Sequence, residues 1–235
     1  MYAHTNVQIS ARLGRLTALR MHRRMCQGHS MKTLALASLK GGTGKSTLAA
    51  HLAVQAVTAG ESVVVIDLDA QASLAEWYNV RAADTPAYAR ATLDGINDTA
   101  ATLARSGQYS LAIIDTPATD KRALRAALAV CDAVLMPVRP SPNDLRATPD
   151  TVDEIEASGK PFAFVLSQRV ARTKISEQAV IALANLQKVS PAVIGSRTVY
   201  ASAMIDGRTA QEIDPTGPAA EEIAGLWKFA KGMLK

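Results

Sequence analysis

The sequence Lys40-Gly41-Gly42-Thr43-Gly44-Lys45-Ser46-Thr47 directly follows an apolar run at residues 33–38 (TLALAS). Its closely spaced glycines let the backbone turn tightly and point several N–H groups at one anion. Lys45 would add a positive charge for the outer phosphates of a nucleotide, and the Ser46 hydroxyl suits Mg²⁺. A helix that begins near Ser46 would point the positive end of its dipole at the same anion. This stretch predicts a nucleotide-binding loop, with cofactor-binding residues Gly41, Gly42, Thr43, Gly44, Lys45, Ser46 and Thr47.

Position 39 departs from the usual phosphate-loop pattern, G-x-x-x-x-G-K-[ST]. That pattern needs glycine at this position, whereas the chain has Leu39 and then a second lysine, Lys40, before the paired glycines. A glycine-rich turn without a ligand is the alternative interpretation. It is disfavoured because the lysine, the hydroxyl, the preceding strand and the following helix occur together.

Strand-like and helix-like segments alternate along the chain, which predicts a single-domain P-loop NTPase fold of the α/β class. We predict a mostly parallel, twisted sheet with helices on both faces and with its ligand at the carboxyl ends of the strands. Strands are predicted at residues 33–38, 62–67, 111–115, 133–138, 162–166 and 192–194. Helices are predicted at residues 46–58, 72–79, 93–105, 120–130, 145–157, 176–187 and 219–234.

Aspartates end two of the predicted strands. Asp67 and Asp69 lie two residues apart, so a strand that stays extended through both would place their carboxylates on one side. Asp115 ends another strand and suits an outer-shell contact to Mg²⁺ through water. The predicted metal-binding residues are therefore Ser46 and Asp115. The alternative is that one aspartate of the first pair caps a turn.

Prolines are concentrated in residues 137–142, next to the predicted strand at 133–138. Because proline stiffens the backbone, we interpret Pro137 and Pro140 as one wall of a base pocket. Ser167 and Gln168, at the next strand end, are predicted to offer polar contacts to adenine. The alternative interpretation is that the prolines only turn the chain.

The loop K-G-G-x-G-K-[ST] at residues 40–46 resembles the deviant Walker A motif of the ParA/MinD family of ATPases. The resemblance covers roughly residue 31 to the C-terminus. It departs from the family at Ala70, where proline is usual, and at residues 1–30, which have no counterpart. Four further segments resemble family motifs, in order: 62–71 (SVVVIDLDAQ) the D-x-D-P-Q box, 111–117 (LAIIDTP) the Walker B strand, 136–144 (MPVRPSPND) the segment over adenine, and 198–206 (TVYASAMID) the small ParF-like plasmid-partition proteins.

The resemblance implies an ATP-dependent molecular switch that needs ATP and Mg²⁺. It implies that Lys40 reaches the phosphates bound by a second subunit, that Asp69 positions the attacking water and that Asp67 supports the metal region. The catalytic residues are then Lys40, Lys45 and Asp69, and the enzyme is a slow ATPase. The ATP-bound homodimer would bind DNA non-specifically, and a ParB/ParG-like or cargo-adaptor partner would trigger hydrolysis, driving plasmid or chromosome partition or cargo positioning. The alternative for Lys40 is an exposed surface lysine.

Two other functions remain open at this point. A MinD-like ATPase that cycles on membranes would use the C-terminal run at residues 226–235 (LWKFAKGMLK) as an amphipathic surface helix. The same apolar stripe is what a last helix needs to pack on the sheet, and Glu221 and Glu222 before it favour packing, so we expect no stable membrane association. A small-molecule ATP-dependent enzyme, such as a carboxylase or a kinase, is disfavoured by Lys40 and by the acidic box.

The net charge of +5 arises from the N-terminal segment. Residues 1–30 contain five arginines and no acidic residue, so residues 31–235 are formally neutral. A DNA site on the folded domain must therefore be a local patch that contacts phosphates. The candidates are Arg169, Arg172, Lys174, Arg197, Arg208, Lys228, Lys231 and the C-terminal Lys235.

The chain is predicted to consist of a basic, flexible N-terminal extension at residues 1–30 and one ATPase domain at residues 31–235. The extension has three interpretations, namely a misplaced start, a basic arm that contacts nucleic acid, or a targeting peptide. Cys26 and Cys131 lie far apart and match no metal spacing. No apolar run approaches the ~20 residues of a membrane span. We expect a cytoplasmic, nucleoid-associated protein.

Overall fold

A computed structural model describes residues 30–69 and 73–235 as a six-stranded sheet covered by helices. The strand order is β3-β2-β4-β1-β5-β6. Every neighbouring pair is parallel, so the sheet predicted as mostly parallel is parallel throughout. The strands are β1 (Lys32–Leu36), β2 (Val63–Asp67), β3 (Ala87–Arg90), β4 (Leu111–Asp115), β5 (Ala133–Val138) and β6 (Phe162–Leu166).

Helices cover both faces of the sheet, as predicted. Successive strand residues alternate between the two faces, and accordingly Leu34 and Leu36 belong to one buried cluster while Ala35 and Ala37 belong to the other. The first cluster packs under α1, α2, α8 and α9, and the second packs under α3 to α6. The helices are α1 (Lys45–Thr58), α2 (Ser73–Val80), α3 (Ile96–Ser106), α4 (Lys121–Val130), α5 (Pro142–Ser158), α6 (Lys174–Ala184), α7 (Thr198–Ser202), α8 (Ala210–Ile213) and α9 (Pro218–Met233), with a 3₁₀ turn at Ala203–Asp206.

The edge strand β3 was not predicted from the sequence. It reads AYAR and pairs only with β2, over a register that joins Asp67 to Arg90. Ala89 is its one buried residue, Ala87 and Tyr88 are partly buried, and Arg90 is exposed. A four-residue edge strand carries too short an apolar pattern to stand out from a loop.

The predicted strand at residues 192–194 is wrong. The segment does follow β6, because the Ser190 N–H donates to the Phe164 carbonyl and the Ile194 N–H donates to the Leu166 carbonyl. Between these two bonds, however, the Ala192 N–H donates to the Ser190 hydroxyl instead of to β6. The chain therefore bulges around Pro191, and only isolated bridges form there.

Pro137 lies inside β5, as the predicted strand at residues 133–138 has it, and not in the stiff loop to which the proline pattern assigned it. It is buried and stands opposite Val165 of β6. A proline lacks the N–H that a ladder needs, but this strand makes its β6 bonds through alternate residues, with Val134 donating to Pro161. The backbone nitrogen of Pro137 therefore faces β1 and not β6, and β1 ends at Leu36. The proline therefore removes no hydrogen bond to β6.

The segment from α7 to α8, for which the sequence predicted no element, docks on α1 and α2 by polar contacts. The Trp77 indole N–H donates to the Arg208 carbonyl at 3.0 Å, and Arg81 forms an ion pair with Glu212 at 2.7 Å. Gly207 has a φ of +76°, and a Cβ there would lie 2.3 Å from the Arg81 Cα. Only glycine allows this close approach.

The apolar stripe of α9 packs on the sheet, which confirms the packing interpretation of the C-terminal run. Ile223, Leu226, Trp227 and Ala230 are all buried in the cluster that includes Leu34 and Leu36. Within the described residues, no helix is long and apolar enough to cross a bilayer.

Candidate nucleotide-binding site

The loop at residues 40–46 lies between β1 and α1, as predicted. Gly42 and Gly44 adopt left-handed φ values of +76° and +94°, which only glycine takes without strain. The Leu48 N–H makes the first intrahelical bond, to the Gly44 carbonyl at 2.8 Å. The preceding N–H groups of Lys45, Ser46 and Thr47 thus have no partner inside the helix. Together with the helix dipole they form a site for an anion such as a phosphate.

Lys45 is buried within this loop. Its ammonium donates to the Lys40 carbonyl at 3.4 Å, and the Thr43 hydroxyl donates to the same carbonyl at 3.5 Å. Burial lowers the pKa of Lys45, and the charges of Asp115 and Asp69 act in the opposite direction. Among the described residues this ammonium makes one long hydrogen bond, so it is available to a phosphate.

Asp115 stands beside Asp67 on the neighbouring strand, in direct register. It is fully buried, and neither of its carboxylate oxygens makes a hydrogen bond of normal geometry within the described residues. Burial raises its pKa to about 7, and the nearby Ser46 hydroxyl and the Lys45 charge only partly offset this effect. A buried carboxylate without a donor is costly, and a cation would remove that cost.

These residues fit a hydrated Mg²⁺ ion. Magnesium in nucleotide sites takes one or two protein groups, several waters and the phosphates, not a full protein cage. The Ser46 hydroxyl and the Asp115 carboxylate provide such a pair. In keeping with that, residues 30–69 and 73–235 contain no cluster of three or more acidic, histidine or cysteine side chains able to hold a metal alone.

The condition for aligning the Asp67 and Asp69 carboxylates, a strand extended through both residues, is not met. The strand β2 ends at Asp67, whose Oδ1 accepts the Asp69 N–H at 2.8 Å and whose Oδ2 accepts the Tyr88 hydroxyl at 3.2 Å. Asp67 thus caps the turn after β2, which is the alternative that the sequence left open. Burial raises its pKa against these hydrogen bonds. Ala70 and Gln71 of the same motif lie outside the described residues.

Three strand ends enclose the loop. From β6, the Ser167 hydroxyl donates to the Thr43 carbonyl at 2.9 Å and the Gln168 amide donates to the Gly42 carbonyl at 2.8 Å. From β5, Arg139 lies beside Gly42, where its Nη1 is 3.4 Å from the position that a Cβ would take. From the loop after β4, the Ala118 methyl faces Gly41. The sequence missed the roles of Arg139 and Gln168 at the loop, although both follow strand ends at the ligand edge.

The predicted adenine wall is only partly assembled at this edge. Pro140 lies in the turn after β5, followed by Ser141, which caps α5, whereas Pro137 is inside β5. Arg139 in the same turn forms a bidentate pair with buried Asp144 at 2.7 and 2.9 Å. Ser167 is buried and its hydroxyl proton is used on the loop. A contact from these residues to adenine stays a prediction.

Lys40 is half-buried at the start of the loop. Its N–H donates to the Ser38 hydroxyl at 3.2 Å, and its carbonyl holds Lys45 as described above. Over the part of the chain that the structure describes, its ammonium makes no hydrogen bond or ion pair. The backbone of Lys40 therefore belongs to the loop while its charge is uncommitted.

The predicted DNA contacts divide into two groups. Arg197 pairs with Glu222 at 2.7 Å, Arg208 with Asp206 at 2.6 Å and Lys231 with Glu61 at 2.7 Å, so these charges are compensated. In the described ranges, the remaining candidates form no ion pair. They are Arg169, Arg172 and Lys174, in the segment directly after Gln168, and Lys228 and Lys235 at the C-terminal end.

Comparison with known proteins agrees with this geometry. A family model described as the CobQ/CobB/MinD/ParA nucleotide binding domain matches residues 34–208. The chain is 28% identical over 200 residues to the maintenance of carboxysome distribution protein A of Halothiobacillus neapolitanus, covering 81% of this chain and 92% of that protein. It is 26% identical over 233 residues to the chromosome-partitioning ATPase Soj of Thermus thermophilus, covering 83% of this chain and 94% of that protein.

The fold matches a solved structure of the MinC:MinD cell division protein complex from Aquifex aeolicus. The TM-score is 0.73 at 17% sequence identity, and the match covers 86% of this chain and 96% of that chain. At this identity the likeness establishes the fold. It confirms the predicted single-domain α/β architecture with a parallel sheet between two helical layers.

Proposed function

The chain belongs to the CobQ/CobB/MinD/ParA nucleotide-binding family, and we propose that it is an ATP-dependent switch of the ParA type. In this proposal, ATP and Mg²⁺ bind at the loop of residues 40–46, and ATP joins two copies of the chain into a homodimer. The dimer binds DNA without reading its sequence, and a partner protein releases it by stimulating hydrolysis. The observation that carries the proposal is Lys40, a second lysine at the entrance of a complete phosphate loop, whose ammonium has no partner within residues 30–69 and 73–235.

Nucleotide binding rests on groups that the chain has already placed. The N–H groups at the start of α1 and the buried ammonium of Lys45 converge on one anion site. The Ser46 hydroxyl and Asp115 would hold Mg²⁺, with Asp67 fixing the neighbouring turn. When bound, the ion would neutralise the negative charge that develops on the phosphate oxygens during hydrolysis.

Hydrolysis in this proposal depends on Asp69. Its N–H is held by Asp67 at 2.8 Å, and its charge is close enough to influence the pKa of Lys45. Asp69 would orient the attacking water, and it is only partly buried. A carboxylate in a partly open site is a weak base, which favours slow turnover until a partner completes the site. Slow turnover suits a switch.

The proposed dimer rests on the negative charge of the bound triphosphate. A triphosphate carries more negative charge than one lysine and Mg²⁺ neutralise, and Lys40 is a further cation at the same loop. Placed on the phosphates of the second subunit, it would make a charge-assisted bond in each of two symmetric sites. ATP would then stabilise the dimer, whereas ADP, with less charge, would do so weakly.

The DNA-binding part of the proposal uses the basic residues that have no acidic partner within the described ranges, chiefly Arg169, Arg172 and Lys174. Lysine and arginine on phosphates bind DNA of any sequence, and such contacts add up when two copies come together. This would associate the protein with the nucleoid in the cytoplasm. Its partner would be a ParB/ParG-like protein or a cargo adaptor. The relatives named for carboxysome distribution and for chromosome partitioning support DNA or another large cargo as the object moved.

Sedimentation of the full chain with Mg²⁺ and either ADP or ATP tests this function, followed by retardation of a random-sequence DNA duplex at fixed salt. We expect a monomer with ADP, a dimer with ATP, and DNA retardation only with ATP. A chain that stays monomeric with ATP and retards DNA equally in both nucleotides would contradict the proposal.

A further inference from the structure

Two side chains at the end of β6 hold two successive carbonyls of the phosphate loop. The Gln168 amide donates to the Gly42 carbonyl at 2.8 Å, and the Ser167 hydroxyl donates to the Thr43 carbonyl at 2.9 Å. These bonds connect residues 126 and 124 positions apart in the chain. The Gln168 amide must present its nitrogen here, because its oxygen would face another oxygen.

Because the peptide bond is planar, holding a carbonyl also fixes the direction of the N–H that follows it. In a trans peptide the C=O and the following N–H point in opposite directions. Fixing the Gly42 carbonyl toward β6 therefore directs the Thr43 N–H away from β6, and fixing the Thr43 carbonyl does the same for the Gly44 N–H. These N–H groups belong to the set that a phosphate loop offers to its anion.

Gln168 adopts a strained conformation to make this contact. Its φ is +52°, in the left-handed region that glutamine rarely takes. The side chain is exposed and fills no space in the core, so core packing does not account for this conformation. Strain at an exposed strand end beside a ligand loop is typical of a functional site.

We propose that Gln168 is a positioning residue for phosphate binding, which orients the Thr43 N–H by holding the Gly42 carbonyl. The inference rests on the nucleotide binding of the proposed function and on no part of its dimer or its DNA contacts. It gives Gln168 a role different from the adenine contact that the sequence indicated. A residue that orients the loop acts on the phosphates of any nucleotide, whereas a residue that contacts the base acts on adenine alone.

The test is Gln168→Met, which keeps the length of the side chain and removes the donor. Its control is Val170→Met, an exposed change two residues further along the same segment. Fluorescent ADP and GDP analogues are titrated into the nucleotide-free chain with Mg²⁺, and pyrophosphate is then used to displace the ADP analogue. Loss of one hydrogen bond should weaken all three ligands by the same factor, about 2- to 10-fold. The control should bind like the parent, and both variants should keep the parent's melting temperature without nucleotide.

Gln168→Glu is a second variant of the same size, in which a carboxylate oxygen faces the Gly42 carbonyl. It should weaken the three ligands more than Gln168→Met does. A loss confined to ADP would assign Gln168 to the base and overturn the inference, as would parent-like binding of all three ligands by Gln168→Met. A fall in melting temperature without a loss of affinity would make it a structural residue and also overturn it. A parent that binds nucleotide but never dimerises would contradict the proposed function and leave this inference standing.

Discussion

The carboxyl edge of the sheet and the C-terminal layer from α7 to α9 differ in how far their charged side chains are paired. At the edge, Asp115 is buried without a hydrogen bond of normal geometry, and the Lys40 ammonium has no partner within the described residues. In the C-terminal layer, four ion pairs join charged groups to opposite charges, while Lys228 and Lys235 form no ion pair within the described residues. The pairs are Arg81–Glu212, Arg197–Glu222, Arg208–Asp206 and Lys231–Glu61.

This difference distinguishes charged groups that stabilise the fold from charged groups that are available to a ligand. A buried polar group without a partner is costly, by about 1–3 kcal/mol or more when it is charged, so a fold keeps one only where something else binds it. Exposed ion pairs contribute about 0–1 kcal/mol each and leave little net charge for a ligand. A buried carboxylate without a normal hydrogen bond therefore marks the nucleotide edge, which also holds the Arg139–Asp144 pair, whereas four ion pairs help to hold the last helices in place.

The largest effect should come from Lys45→Ala at the edge. It removes the cation nearest the phosphates, which makes charge-assisted hydrogen bonds, so the affinity for ATP should fall by about 100-fold or more. Titration with a fluorescent ATP analogue measures this loss. Because Lys45 is buried, thermal melting of the variant must show that it is folded. A folded variant with the parent's ATP affinity would remove the phosphate-loop assignment.

Asp69→Ala should separate binding from turnover. Lys45, Ser46 and the loop N–H groups remain, so ATP binding should persist, while hydrolysis should fall by about 100-fold because the attacking water is no longer oriented. Phosphate release at saturating ATP measures turnover. Asp94→Ala, an exposed aspartate before α3, is the matched control. Hydrolysis at the parent rate by Asp69→Ala would show that Asp69 has no catalytic role.

The C-terminal layer should instead respond to pH through His51. Its Nε2 accepts the Ala210 N–H at 3.0 Å, so its Nδ1 carries the proton and donates to the Thr47 carbonyl at 2.8 Å. Burial lowers the pKa of His51 to about 4, against 6.5 for an unperturbed histidine. The unfolded chain therefore binds a proton below pH 6.5 that the folded chain does not bind until about pH 4.

The consequence is a stability that is complete above pH 6.5 and declines as the pH falls toward 4. The decline attributable to His51 should reach up to about 3 kcal/mol. Urea unfolding at pH 7.0 and pH 4.5 measures it. In His51→Gln this contribution should be absent, so the parent should lose more stability than the variant between the two pH values. Equal losses would show that His51 does not hold α8 as a neutral side chain.

The smallest effect compares one arginine from each group of DNA candidates. Arg172→Gln removes a charge that has no acidic partner in the described chain, and should weaken ATP-dependent DNA binding a few-fold and lower the salt dependence by about one unit. Arg208→Gln removes a charge already paired with Asp206, and should change binding less. DNA retardation at several salt concentrations measures both. A larger loss for Arg208→Gln would show that ion pairing does not predict which arginines contact DNA.

The sequence predicted those parts of the fold whose signal is local. The strands β4, β5 and β6 were predicted with their observed bounds, because each is a continuous apolar run buried on both faces. The phosphate loop was predicted because its glycines, lysine and hydroxyl are consecutive. The strand β3 was missed because four residues at a sheet edge show no clear pattern.

Other features depend on individual side-chain hydrogen bonds, short-range or long-range, which an apolar pattern does not reveal. The predicted strand at residues 192–194 failed because the Ser190 hydroxyl takes the N–H that a ladder would have used. Asp67 could have faced a metal or capped a turn, and the Asp69 N–H decides between them. The contact from Gln168 to Gly42 joins residues 126 positions apart. This last contact arises only once the sheet has brought β6 beside the loop.

The central claim is that Lys40 acts across a dimer that ATP holds together. Sedimentation equilibrium with ATP and Mg²⁺ tests it on the parent, on Lys40→Ala and on Lys32→Ala. The last variant is a control that removes the same charge from the exposed start of β1, the strand that precedes the loop. Two symmetric contacts, each a charge-assisted bond of ~1.5–3 kcal/mol, predict that Lys40→Ala dimerises roughly a hundredfold or more weakly. Its monomer should bind ATP nearly as tightly as the parent, and Lys32→Ala should dimerise normally. A Lys40→Ala variant that dimerises like the parent would contradict the account and leave a P-loop ATPase without the switch.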